Sequence, residues 1–78
     1  MSHQITCQEI LRVEARVGDI EEAVASLRAS VAMSERRNTT PEAIALADSR
    51  TVLRLTAISR NLAASLAAVD ALLAKPQR

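Results

Sequence analysis

His3 and Cys7 are the two residues of this chain whose types suit metal chemistry, and they stand four apart. On a helix that spacing puts an imidazole and a thiol on one face. A structural zinc site takes four such ligands, and one copy supplies two. A pair of copies would bring two sets together, but a frayed N-terminus with an ordinary thiol is the simpler reading. His3 is also the only histidine, so imidazole acid–base chemistry rests on one tail residue. Cys7 is the only cysteine, which rules out an internal disulfide and suits a reducing compartment.

The remaining charged groups converge on nothing. Glu21 and Glu22 are adjacent, so on a helix they point in different directions and read as a solvated face. Arg50 and Arg54 share one side at i, i+4, and Arg60 lies further along. The chain has no Phe, Tyr or Trp to stack on bases, and Gly18 is its only glycine, so no phosphate-cradling loop is present. Ten Lys and Arg against nine Asp and Glu leave a net charge of +1, too balanced for a protein built around phosphate contacts. The expectation is a non-enzyme with no catalytic residue, no metal, no cofactor and no small-molecule substrate.

The elements beneath these residues are more informative. Ile10, Val13, Val17, Ile20, Val24, Leu27 and Val31 follow one another in steps of three and four. That average of 3.5 places all seven on one stripe of a helix. Ile44, Leu55, Ile58, Leu62, Val69 and Leu72 keep the same phase. Between the two runs lies a polar break, Glu35-Arg36-Arg37-Asn38-Thr39-Thr40-Pro41-Glu42. Thr6 with Glu9 matches a capping box, with Ser2 an alternative cap, and Thr40-Pro41-Glu42 reads as N-cap, first helical residue and first-turn acid. Pro76 stops the second helix. The sequence predicts an all-α fold: one domain, a first helix over about 5–36, a turn at 37–40 and a second helix over about 41–74. So short a turn folds the helices antiparallel. The two stripes are expected to meet as the seam of this helical hairpin.

The second helix carries more apolar surface than one partner can cover. Beside its seam stand Val52, Leu66 and Leu73, and Leu46 and Leu53 lie further round. An uncovered apolar stripe marks an association site, so these five are the expected partner-binding residues, for another protein or a second copy. Asp48, Thr51 and Ser65 interrupt the second seam and Ser34 the first, which sets register at a cost in stability. No run of about 18 apolar residues predicts a membrane span, and the N-terminus lacks the pattern of a secretory signal, so the expected location is the cytoplasm.

Asn38-Thr39-Thr40-Pro41 resembles the proline-containing turn of type III secretion needle subunits, and Val69-Asp70-Ala71-Leu72 resembles their C-terminal segment. In layout the chain is similar to the needle co-chaperones of those systems. The resemblance implies two antiparallel helices whose apolar face holds a larger chaperone and the needle subunit. Needle subunits carry Trp or Tyr near the start and in the second helix; this chain has neither, which turns the resemblance towards the co-chaperone. Two other classes stay open: a homodimeric four-helix bundle of the plasmid copy-control type, which grips RNA loops with a clustered basic or aromatic face that this sequence does not show, and a structural or adaptor protein of a phage or mobile element.

Overall fold

The computed structural model describes residues 5–37 and 39–75. It is a hairpin of two long helices, α1 (Cys7–Arg37) and α2 (Pro41–Leu73). The described residues contain no strand. Both ends fall within two residues of the sequence reading. Ser2, His3, Asn38 and Pro76 lie outside the described residues.

Local chemistry accounts for both helix starts. The Thr6 N–H donates to Glu9 Oε1 at 3.0 Å, and the Glu9 N–H donates to Thr6 Oγ1 at 3.2 Å. This reciprocal pair is a capping box. At α2 the Ala43 N–H donates to Thr40 Oγ1 at 3.2 Å, with Thr40 extended and Pro41 opening the first turn. Arg36 and Arg37 close α1, where the helix dipole favours cations.

Bonds between side chains tie the helices together. Arg54 Nη2 donates to Ser26 Oγ at 3.1 Å near the turn half, and Lys75 pairs with Glu9 at the open end. Between them the core is thin. Among the described residues only Leu27 and Ile58 are buried, at 7% and 8% exposed.

The seam differs from the sequence expectation. The lines that meet are Val13, Ile20, Leu27, Ser34 on α1 and Thr51, Ile58, Ser65, Leu72 on α2, all buried or half-buried. Ile10, Val17, Val24, Ile44, Leu55 and Leu62, expected inside the seam, are exposed by about half. The cause is the flank beside each meeting line. On one side stand Ala23, Ala47 and Ala68, half-buried and small enough to let the backbones approach. The helices roll towards that flank, and the bulky flank opens to solvent along most of its length, while Val31 and Val69, expected in the seam, stay half-buried. Of the polar interruptions, Thr51 turns its hydroxyl back to the Ala47 carbonyl at 3.0 Å. Ser34 and Ser65 are half-buried, and Asp48 is exposed.

Candidate interaction surface

The roll of the helices builds one continuous aliphatic face. In an antiparallel pair, positions on the same rotational side of each meeting line lie on the same side of the hairpin. For α1 that side carries Ile10, Val17 and Val24. For α2 it carries Leu55 and Leu62, with Val52, Leu66 and Leu73 one step further round. All eight are exposed. Acids border this side: Glu14 and Glu21 follow the α1 row by periodicity, and Glu35 and Asp48 line the recess of about 330 Å³ at its turn end with Val31 and Ile44.

The five residues expected to bind a partner are all exposed, with Leu53 at 71% and Leu73 at 73% the most open. They do not form one surface. Val52, Leu66 and Leu73 belong to the aliphatic face, whereas Leu46 borders the opposite side of the hairpin and Leu53 stands on the outer side of α2. Sequence reasoning left out Ile10, Val17, Val24, Leu55 and Leu62 by assigning them to the seam. The signal for them was present in the alanines and serines along one flank only.

The opposite side of the hairpin is polar and basic. A groove of about 430 Å³ runs between the helices near the turn, lined by Arg37, Arg50 and Arg54 with Ser30, Ser34 and the apolar Met33 and Leu46. Arg12 and Arg16 follow on the same flank by periodicity. The sequence read as lacking a clustered basic face; the fold brings three arginines from both helices to one groove. Sequence spacing links only Arg50 with Arg54, and Arg37 joins them through the turn.

Elsewhere the titratable groups do not gather. The Lys75 ammonium and the Thr6 N–H bonded to Glu9 hold its carboxyl at about 2, well below the usual carboxylate range. Cys7 is exposed. Among the described residues no three His, Cys, Asp or Glu side chains lie close enough to hold a metal ion.

One window of 18 residues in α2 averages 1.2 in hydropathy, so α2 is long and apolar enough to cross a membrane by length and composition alone. Arg60 lies near the middle of α2, and a charge near a bilayer centre costs about 2.5–3.5 kcal/mol on insertion scales.

No protein-family model, curated protein or solved structure gives a significant match to this chain.

Proposed function

We propose that this protein is a non-enzymatic interaction module that holds other helices against its aliphatic face, as a small adaptor or chaperone does. One observation carries the reading. Eight large aliphatic side chains from both helices are exposed on one side, while two are buried in the hairpin itself. A contiguous apolar patch of that extent marks a binding surface on a water-soluble chain. The layout it shares with type III secretion needle co-chaperones fits this role, in which a hairpin is completed by its client.

The test compares aspartate substitutions on the face with those in the seam. Leu66→Asp should abolish association and keep most of the helical circular dichroism, because Leu66 touches solvent in the lone hairpin. Ile20→Asp should lose helix outright. Equal loss of helix in both would sink the division between face and seam.

The groove of Arg37, Arg50 and Arg54 supports a second reading, contact with nucleic-acid phosphates. With no aromatic to stack on bases, such contact would be sequence-blind. A duplex RNA titrated at about 50 and 200 mM salt tests it; the contact predicts binding that weakens steeply with salt, and no binding at the lower concentration removes it.

A further inference from the structure

We infer that the aliphatic face is covered by a second copy of this chain, giving a four-helix bundle in which α1 packs on the partner copy's α2 and both turns lie at the same end. The inference rests on the interaction reading above and names its occupant.

Surface area supports a self-association of this size. The hairpin exposes 6394 Å², against about 4,600 Å² for a compact monomer of its mass. The eight face residues leave roughly 100 Å² each open, so a pair of copies would bury on the order of 1,600 Å², the size of a standard stable interface. One face therefore suffices, with no third component.

Side-chain shape selects the arrangement. The middle of the α1 row is short and β-branched, Val17 and Val24 beside Ile10 at the open end, whereas the middle of the α2 row is long, Leu55, Leu62 and Leu66 beside Val52 towards the turn. Stacking α1 on the partner's α2 sets Val17 and Val24 against leucines and fills the central layers evenly. Stacking α1 on its own copy would set valine against valine at one side and leucine against leucine at the other. That arrangement leaves a gap beside an overfilled layer, and it brings Glu21, near the middle of α1, beside its own copy. The other side of the hairpin is no substitute, because pairing it would face the arginine groove with itself.

The experiment is light scattering on the full chain, followed by distance measurement between spin labels at Thr39→Cys in a Cys7→Ser background. The expected mass is twice 8.4 kDa. The label separation should be roughly 20 Å, since helices pack 8–10 Å apart. In the alternative arrangement the labels would sit at opposite ends of a rod 64 Å long; a separation near that length overturns the proposed packing. Leu62→Asp should return the mass to one copy and Leu53→Asp should not; the reverse outcome overturns the choice of face. A monomer that binds the apolar dye ANS overturns the second copy and leaves the interaction reading standing. A monomer that is fully helical and binds no dye overturns both.

Discussion

Gly18 is the position where a single atom should matter most simply. A Cβ built there meets nothing within 4 Å, and glycine in a helix interior is about 0.5–1 kcal/mol worse than alanine. Gly18→Ala should therefore raise the melting temperature by about 4–8 °C per kcal/mol gained; an unchanged or lower midpoint would mean that Gly18 is covered in the assembled protein. Glu9 gives a pH signature. Its carboxyl is held at about 2 in the folded chain, below the ordinary 4.5. The charged form is thus favoured by folding, its contribution is full above about pH 4.5, and it fades as pH falls towards 2. Glu9→Gln keeps a capping-box acceptor but loses the charge. The variant should be less stable than the native chain at pH 6 and converge on it near pH 2, as followed by urea titration at each pH. Parallel curves across that range would refute the Lys75 pairing.

At the scale of the helix, caps and core anchors set what can be lost. Thr40→Ala removes the α2 N-cap and should cost about 1 kcal/mol, read from denaturant unfolding. Leu27→Ala or Ile58→Ala removes half of a two-residue core and should cost about 2–5 kcal/mol, enough to unfold a chain this small. Loss of under 1 kcal/mol at both would show that stability resides on the open face instead. The elements themselves were legible in the sequence. Thr6 with Glu9, Thr40 with Pro41, and the 3.5-residue spacing place both helices within two residues. The roll about each helix axis was not. A heptad names the stripe, but which half of it meets the other helix depends on how closely the flanks can approach. Ala23, Ala47 and Ala68 decide that through packing between residues far apart in sequence. For the same reason Arg37 could not be placed beside Arg50 and Arg54 from spacing alone, and Leu46 and Leu53 could not be separated from Leu66 and Leu73 until the meeting line was known.

The whole molecule is a rod. Its radius of gyration is 18.3 Å, against about 11.5 Å for a compact domain of 78 residues. A rod two helices thick has little interior, so association should add to the stability of its folded state. The melting temperature should climb with protein concentration, as mass action requires when association adds to the stability of the folded hairpin; a midpoint constant over a hundredfold dilution would mean that association adds nothing to it. The two-residue core has a further consequence for the lifetime of the chain in a cell. A lone hairpin opens often, and cleavage of an opened chain follows the population of its open form. Unassembled copies would be degraded while assembled ones persist, so the standing amount of this protein would be metered by the supply of whatever completes it, without any dedicated regulator.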